Sequence, residues 1–368
     1  MSKLFPFPLY TFLRIARKNG GFSPKGLLHM GPWLLKTILA EPFRWIELAT
    51  KNKTIEKHTI QKPPVFLLGY YRSGTTFLQQ MFMQDRRLGY MSLYQTIFPE
   101  LMLTFEKIFT PLLEFSTRLF NAKNSFHRIP LTWHSSGEED VGLTGMVSPY
   151  AFHWGYLFPE KNNDYFEKHV LFKNISDEEI QNWKNTYHYF LKKLSIANKS
   201  KQLILKNPPN TARIKMLLSL FPDAKFIYIH RNPFEVYASN KQLWKMIHNK
   251  FMLGRSRSVD FKNIILDSYS KMINRYFEDK LLIPPGQLIE LRYETFIENP
   301  VSCLRNIYSQ LDLLDFSYCE PAMVAYASKQ KNYSKLKHYL PQKEQEIVSE
   351  KWKKFTEYNN YQHYEKET

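Results

Sequence analysis

Short apolar runs alternate with helical patterns from about residue 62 onward. The runs that are typical of buried strands are VFLLG (65–69), QLILK (202–206), KFIYIH (225–230) and QLIELR (287–292). Stretches with helical spacing lie between them, which is the order that parallel strands and crossover helices give. The pattern therefore predicts an α/β fold with a central parallel sheet flanked by helices.

Capping residues predict where several helices begin. Ser176 precedes a helical pattern and Glu179 follows three residues later, the arrangement of a capping box. Pro233 suits the first turn of a helix after the third strand, and Asn299 followed by Pro300 marks the start of another helix.

The first sixty residues have a different pattern, because apolar positions recur there at helical spacing with lysine and arginine between them. We predict a helical N-terminal extension over residues 1–61 that packs on a main domain of residues 62–368. A basic amphipathic segment on a membrane surface is the second interpretation. Within the main domain, an insertion at about 86–200 is expected on the carboxyl side of the strands, where it forms the acceptor side.

Charge and cysteine content narrow the class of protein. The 368 residues contain 51 Lys and Arg against 34 Asp and Glu, a net charge of +17, which favours an anionic partner such as a nucleotide, a nucleic acid or an acidic membrane. Only two cysteines in so long a chain disfavour a disulfide scaffold and indicate reduced thiols in the cytoplasm.

The N-terminus is a poor signal peptide, because two prolines interrupt its apolar part. The longest uncharged stretch, VGLTGMVSPYAFHWGYLFP (141–159), contains three glycines, two prolines and His153. These residues disfavour a membrane-spanning helix and favour a buried, aromatic-lined segment.

The stretch GYYRSGTT (69–76) follows the first strand and has the spacing of a phosphate-binding loop. Thr75, however, stands where the nucleoside-triphosphatase pattern requires lysine. A glycine turn before a helix directs backbone amides and the helix dipole at one point, so an anion is expected at residues 72–76. The side chains expected to bind it are the guanidinium of Arg72 and the hydroxyls of Ser73, Thr75 and Thr76.

The ends of the other strands argue against a magnesium triphosphate. Magnesium binding would need an acidic strand end, but these strands end in Lys206, His230 and Arg292. We therefore predict a site without a metal. After the third strand, Arg231 and Ser239 are placed to bind a second phosphate, which indicates a nucleotide with phosphate at two positions of its sugar.

Four segments together resemble the sulfotransferases that use 3′-phosphoadenosine 5′-phosphosulfate (PAPS). In chain order they are YRSGTT, LILKNPPNTARI, LFPDAKFIYIHRNPFEVYASN and LRYETFIENP, and the likeness spans roughly residues 62–312. It is closest to the broad branch that includes many bacterial members and the protein-tyrosine sulfotransferases. The resemblance implies a P-loop-containing three-layer α/β fold with PAPS as sulfuryl donor.

The resemblance also implies roles for individual residues. The loop holds the 5′-phosphosulfate, with Gly74 among its members, while Arg231 and Ser239 hold the 3′-phosphate. Tyr293 and, in a basic C-terminal segment that closes over the donor, Lys337 are further expected donor contacts; a solvated charged loop is the alternative for that segment. The sequence departs from the usual pattern by having Tyr71 for proline, Asn232 for aspartate and Asn210 for histidine.

Sulfuryl transfer to a hydroxyl requires a base for the acceptor proton and cations for the charge on the transferring group. Lys206 and Arg72 are the predicted cations. Three adjacent carboxylates in TWHSSGEEDVGL, Glu138, Glu139 and Asp140, raise one another's pKa. Glu138 aligns with an acidic motif of the family, although Ser-Gly precedes it where Pro-Gln is usual, and is the predicted base. His134 and a solvated acidic turn are the alternatives.

The sequence thus predicts a PAPS-dependent sulfotransferase that acts on a small-molecule or lipid-like hydroxyl, or on an amine, with no nucleic-acid partner. The segment MVSPYAFHWGYLF predicts an apolar acceptor pocket, with ordinary core packing as the alternative. A P-loop nucleotide kinase and a non-catalytic nucleotide- or membrane-binding protein are the competing functions. The expected location is the cytoplasm, with peripheral contact at the inner membrane surface through the basic N-terminal helices.

Overall fold

Five parallel strands form the sheet at the centre of the fold. The computed structural model describes residues 8–119, 132–255, 259–330 and 340–361. Within these ranges the strands are β1 (Val65–Leu68), β2 (Leu88–Gly89), β3 (Gln202–Lys206), β4 (Lys225–His230) and β5 (Leu288–Arg292).

Helices surround this sheet throughout the described ranges. They are α1 (Pro8–Lys18), α2 (Pro24–Lys57), α3 (Thr75–Phe82), α4 (Leu93–Ile97), α5 (Glu106–Leu119), α6 (Glu139–Gly145), α7 (Trp154–Leu157), α8 (Asn162–His169), α9 (Asp177–Ala197), α10 (Ile214–Leu220), α11 (Pro233–Lys250), α12 (Phe261–Asp279), α13 (Tyr293–Glu298), α14 (Pro300–Gln310), α15 (Glu320–Gln330), α16 (Gln342–Lys351) and α17 (Lys353–Tyr358).

The strand order is β2-β3-β1-β4-β5, with β1 in the middle. Phe66 of β1 pairs with Leu205 of β3 and with Phe226 of β4. All four residues of β1 are buried, which explains why its sequence is an unbroken apolar run. The prediction of an α/β fold with a central parallel sheet is confirmed.

Alternate residues of β1 face two separate hydrophobic layers, as the two-residue period of a strand requires. Phe66 and Leu68 belong to a core with Trp183 of α9, while Val65 and Leu67 pack with Phe82 of α3 on the opposite side. A sheet covered by helices on both faces is the three-layer arrangement that the resemblance implied.

The four predicted strands agree with β1, β3, β4 and β5 to within one residue at each end. The predicted capping box is present, since Ser176 Oγ accepts a hydrogen bond from the Glu179 amide and the Glu179 carboxylate accepts one from the Ser176 amide. Pro233 and Pro300 occupy first helical turns, as predicted. Strand β2 was not predicted, because two residues are too few to give a pattern.

The N-terminal helices α1 and α2 pack on the rest of the chain through aromatic and ionic contacts. Phe12 of α1 and Trp33 of α2 contact the ring of Trp154 in α7, at 6.1 and 5.9 Å between ring centroids. Glu47 of α2 is 1% exposed and pairs with Lys193 Nζ of α9 at 2.9 Å. Its carboxylate also accepts the backbone N–H groups of residues 103 and 104.

The predicted burial of residues 141–159 is confirmed at the aromatic positions, where Phe152, Trp154 and Phe158 are at most 2% exposed. Across the described ranges, no helix combines the length and the apolar character that crossing a bilayer would need.

We expect Glu47→Ala to lower the free energy of unfolding by about 3–5 kcal/mol, because it leaves the buried Lys193 ammonium without its counter-ion. Urea unfolding followed by circular dichroism measures this cost. Glu56→Ala removes an exposed carboxylate of the same helix and should cost no more than about 0.5 kcal/mol. Equal costs for both variants would mean that the ion pair does not anchor α2.

Candidate active site

The segment between β1 and α3 is a tight turn with two left-handed residues. Arg72 has a φ of 70° and Gly74, which directly precedes α3, has a φ of 100°. The Gly69 amide donates to Thr211 Oγ1 at 2.8 Å, and the Ser73 amide donates to the Tyr70 carbonyl at 3.2 Å. The turn therefore holds the loop at the N-terminal end of α3, where helix amides are available to an anion.

Gly74 is required by its contact with Tyr293, the first residue of α13. A Cβ atom at position 74 would lie 2.3 Å from Cδ2 of the Tyr293 ring. The guanidinium carbon of Arg231 lies 4.5 Å from the centroid of the same ring. Tyr293 thus contacts both the loop and the strand-end arginine.

The two predicted phosphate motifs meet in space although more than 150 residues separate them. Arg72 Nε donates to Ser239 Oγ at 2.8 Å, and Arg231 Nη1 donates to the Arg72 carbonyl at 3.3 Å. Arg231 Nε also donates to Glu235 Oε2 at 2.6 Å, which fixes the guanidinium against α11. Arginine, serine and tyrosine side chains from three elements therefore converge beside the loop.

The remaining predicted loop residues lie at the start of α3. Ser73 and Thr75 are buried, and Thr76 is half-buried. Lys337 lies outside the described residues, so its predicted donor contact stays a prediction.

Lys206 and Glu138 are in direct contact. Lys206 is the last residue of β3, and its Nζ forms an ion pair with Oε1 of Glu138, the residue directly before α6. The lysine side chain is 5% exposed and the glutamate side chain 24% exposed, so the carboxylate is the part of the pair that solvent reaches. Since β3 is next to β1, this pair lies on a strand adjacent to the loop.

The three neighbouring carboxylates lie in different environments. Burial, together with the charges of Asp140 and Glu138, raises the pKa of Glu139 to about 8. Burial alone would also raise the pKa of Asp140, but the Arg213 guanidinium outweighs it and lowers that pKa to about 2. Two of the three side chains are buried, so the alternative of a solvated acidic turn is wrong.

Asp140 and Arg213 form an ion pair in which both side chains are fully buried. Arg213 Nη2 donates to Asp140 Oδ1 at 3.1 Å, and Arg213 Nε donates to the His169 carbonyl at 2.8 Å. The Phe152 amide donates to Asp140 Oδ1 at 3.0 Å. This network was not predicted, because charged residues in a sequence pattern are read as solvent-facing.

Asn210, which stands where histidine is common in the family, has a structural position. Its Nδ2 donates to Tyr187 Oη at 3.1 Å, and its Oδ1 accepts from Asn207 at 3.1 Å. Asn207 in turn donates to Asp140. The side chain at position 210 therefore supports the buried ion pair.

Ser136-Gly137 stands before Glu138 where the family usually has Pro-Gln, and the glycine has a steric reason. A Cβ atom at position 137 would lie 1.7 Å from Thr96 Oγ1, so a side chain cannot be accommodated there. The Gly137 amide donates to the Met91 carbonyl at 2.9 Å. Glycine allows the strand-like segment before Glu138 to approach α4 closely.

A buried group of polar aromatic side chains lies beside Glu138. The Tyr156 ring is 5.8 Å from that of Tyr71 and 5.1 Å from that of His153. Burial raises the pKa of both tyrosines well above 10, and the Glu138 charge adds to this. Among the described residues, His153 Nδ1 has no hydrogen-bond partner. The aromatic segment thus brings an unsatisfied polar atom near the carboxylate.

Two histidines named in the sequence analysis do not have the surroundings expected for an active-site base or cation. His134, the alternative base, is exposed and lies 3.4 Å from Glu114 Oε1. His230 ends β4, but burial lowers its pKa to about 4, so it is neutral at pH 7 and does not supply the positive charge expected of a basic strand end. In the described ranges, no cluster of three or more His, Cys, Asp or Glu residues could hold a metal ion.

The model of the sulfotransferase family matches residues 63–317 of the sequence. The chain belongs to this family, and it is a transferase. It is 29% identical over 303 residues to the omega-hydroxy-beta-dihydromenaquinone-9 sulfotransferase Stf3 of Mycobacterium bovis and of Mycobacterium tuberculosis. The match covers 82% of this chain and 76% of each relative.

Solved sulfotransferase structures share the fold. STF9 from Mycobacterium avium superposes with a TM-score of 0.69 at 17% identity, covering 92% of this chain and 86% of that one. STF1 from Mycobacterium tuberculosis gives a TM-score of 0.68 at 18% identity, covering 94% of this chain and 90% of that one.

We expect Asp140→Asn to cost about 3–5 kcal/mol of unfolding free energy, because it leaves the buried Arg213 charge uncompensated. Asp164→Asn, which removes an exposed carboxylate 3.4 Å from Lys161, should cost no more than about 1 kcal/mol. Chemical unfolding at pH 7 gives both values.

The loss of unfolding free energy caused by Asp140→Asn should become smaller as the pH falls. The folded pKa of Asp140 lies below its ordinary value of 3.8, so its stabilising effect is complete above that value and is lost as the pH falls towards about 2. The difference in unfolding free energy between the parent and the variant should therefore narrow over this interval. A difference that stays constant down to pH 2 would contradict the ion-pair assignment.

Proposed function

We propose that this sulfotransferase takes its sulfuryl group from PAPS and transfers it to the hydroxyl group of a hydrophobic, lipid-like acceptor. The observation that carries the proposal is the hydrogen bond between Arg72 and Ser239. It joins the loop expected to bind the 5′-phosphosulfate to the residue expected to bind the 3′-phosphate. A donor with phosphate groups on both sides of one ribose matches such a pair of adjoining sites.

The shape of the loop also fits this donor. Gly74 leaves no side chain between the loop and the Tyr293 ring, and Arg231 is held over that ring by Glu235. In our proposal the loop residues Arg72, Ser73, Gly74, Thr75 and Thr76 bind the phosphosulfate. Arg231 and Ser239 bind the 3′-phosphate, while Tyr293 and Lys337 contact the nucleotide.

In the proposed reaction Glu138 accepts the proton of the acceptor hydroxyl as the oxygen attacks sulfur. PAPS supplies the sulfuryl group, and 3′-phosphoadenosine 5′-phosphate is the leaving product. Lys206 and Arg72 stabilise negative charge on the transferring group, so that side chains do the work a metal does in a triphosphatase. The contact between Lys206 and Glu138 supports this assignment, because it puts a cation and a partly exposed carboxylate together beside the loop.

Two observations support a lipid-like acceptor. The relative Stf3 is named for omega-hydroxy-beta-dihydromenaquinone-9, a hydroxylated menaquinone derivative. The segment that follows Glu138 is aromatic and buried, and it brings Tyr156 and His153 towards the carboxylate. An apolar segment with a few polar atoms suits an apolar alcohol.

Nucleotide binding tests the donor. The product nucleotide 3′-phosphoadenosine 5′-phosphate should raise the melting temperature of the protein, since it binds only the folded state, whereas ATP with Mg²⁺ should not. Ser239→Ala should lower the affinity for the product nucleotide by about tenfold or more, because a hydrogen bond to a charged group is worth about 1.5–3 kcal/mol. Ser219→Ala, on the exposed side of α10, is the matched control. Stabilisation by ATP and Mg²⁺ alone would favour a kinase instead.

Turnover by variants at two adjacent residues tests the assignment of the base. Glu138→Gln should lower kcat by at least about 100-fold with nucleotide affinity unchanged, as expected for loss of a general base. Glu139→Gln should keep a kcat close to that of the parent at pH 7, because a carboxyl group with a pKa of about 8 is already mostly neutral. Mass spectrometry of the sulfated product from a hydroxylated menaquinone measures both rates. Normal turnover by Glu138→Gln would exclude it as the base.

A further inference from the structure

Helix α2 exposes a continuous apolar stripe to solvent. Leu28, Leu35, Leu39 and Ile46 recur at intervals of seven and four residues, so they lie on one side of the helix. They are 79, 58, 61 and 48% exposed. A helix on the surface of a globular protein normally has polar residues in these positions, so the stripe requires a reason.

The charged residues in this part of α2 are directed away from the stripe. Lys36 pairs with Glu100 at 2.7 Å, and both side chains are at most 12% exposed. Arg44, whose side chain is 6% exposed, pairs with Glu41 at 2.6 Å. The exposed positions between residues 26 and 46 are all leucine, isoleucine, glycine or proline.

Helix α5 continues the apolar surface next to α2. Phe43 of α2 contacts Phe105 and Phe109, at 5.0 and 5.1 Å between ring centroids, which brings the start of α5 against α2. On the outward side of α5, Leu112 and Phe115 are 61 and 69% exposed. The apolar face defined by these two helices consists of Leu28, Leu35, Leu39, Ile46, Leu112 and Phe115.

Basic residues predominate in the N-terminal helices that include α2. Residues 8–57 contain nine Lys and Arg but only three Glu, a net charge of +6. Helix α1 packs against α2, and its exposed side ends in Arg14, Arg17 and Lys18. Exposed apolar side chains on one helix with exposed cations on a neighbouring helix match the boundary of an anionic bilayer, where acyl chains lie beneath charged head groups.

A second copy of the chain is a poorer occupant. It would bring the same basic region, on a protein of net charge +17, against the first. An anionic lipid surface has the opposite charge and can cover all of the face at once.

We propose that the apolar face of α2 and α5 docks the enzyme on an anionic lipid bilayer, with α2 lying in the plane of the interface. Trp33 and Phe12, on the inner sides of α2 and α1, contact Trp154 of the aromatic segment. Docking therefore brings the expected acceptor side close to the bilayer. This consequence for the acceptor rests on the proposed function, whereas docking itself does not.

Co-sedimentation with vesicles tests the docking without any turnover. The full chain should bind vesicles of phosphatidylcholine that contain phosphatidylglycerol, and should bind pure phosphatidylcholine more weakly. The triple variant Leu28→Glu, Leu35→Glu, Leu39→Glu should lose at least about tenfold in affinity per substitution, because each leucine no longer transfers to an apolar medium. Replacing Arg14, Arg17 and Lys18 by glutamine should cost roughly fivefold per residue on the anionic vesicles.

Leu281→Glu is the matched control, because Leu281 is 81% exposed and lies in the turn after α12. It should bind vesicles as the parent does. Melting temperature and affinity for 3′-phosphoadenosine 5′-phosphate, measured on the same samples, report separately on folding and on the nucleotide site. Unchanged vesicle binding by the folded triple variant would overturn the proposal. A dimer in light scattering that the triple variant dissociates, without vesicle binding by the parent, would assign the face to a second copy.

Discussion

The buried ion pair between Asp140 and Arg213 determines where the candidate catalytic residues lie. Asp140 is in the first turn of α6, two residues after Glu138, and Arg213 follows β3, seven residues after Lys206. By joining these segments, the pair brings the carboxylate of Glu138 to the ammonium of Lys206. A buried pair gains little net stability over apolar packing, but its geometry is strict, since an unpaired partner is costly. Its contribution here is to fix the position of the acidic segment relative to the end of β3.

The same pair divides three adjacent carboxylates into three chemical states. Asp140 is held ionised by Arg213, and Glu139 is buried with a pKa of about 8, which keeps it mostly neutral at pH 7. Glu138 alone combines solvent access with a cationic partner. Crowding of carboxylates was visible in the sequence. Which member remains open to an acceptor depends on burial, and burial follows from the packing of α6 against α4.

The sequence predicts the parts of the fold and site that depend on local pattern. Fully buried parallel strands give unbroken apolar runs, so β1, β3, β4 and β5 were found, whereas the two-residue β2 was not. The residues of the loop and Arg231 follow strands directly, so their proximity follows from parallel strand order. The roles of Arg213 and Asn207 could not be predicted, because a contact with Asp140 across 60 or more residues leaves no local signal. The lowered pKa of His230 has no local signal either, since it arises from tertiary burial.

The two faces of α2 have different surroundings. This difference explains why its sequence is compatible both with packing on the main domain and with contact at a membrane surface. Its inner face carries the buried Glu47 and the half-buried Trp33, which fix the helix to α9 and α7. Its outer face leaves leucines in water, although full burial of each would be worth about 1.5–3 kcal/mol. Polar residues at the outer positions would cost the folded chain nothing in packing. In the docking that we propose, a bilayer removes the outer leucines from water, and the net charge of +6 over residues 8–57 favours an anionic surface for that role.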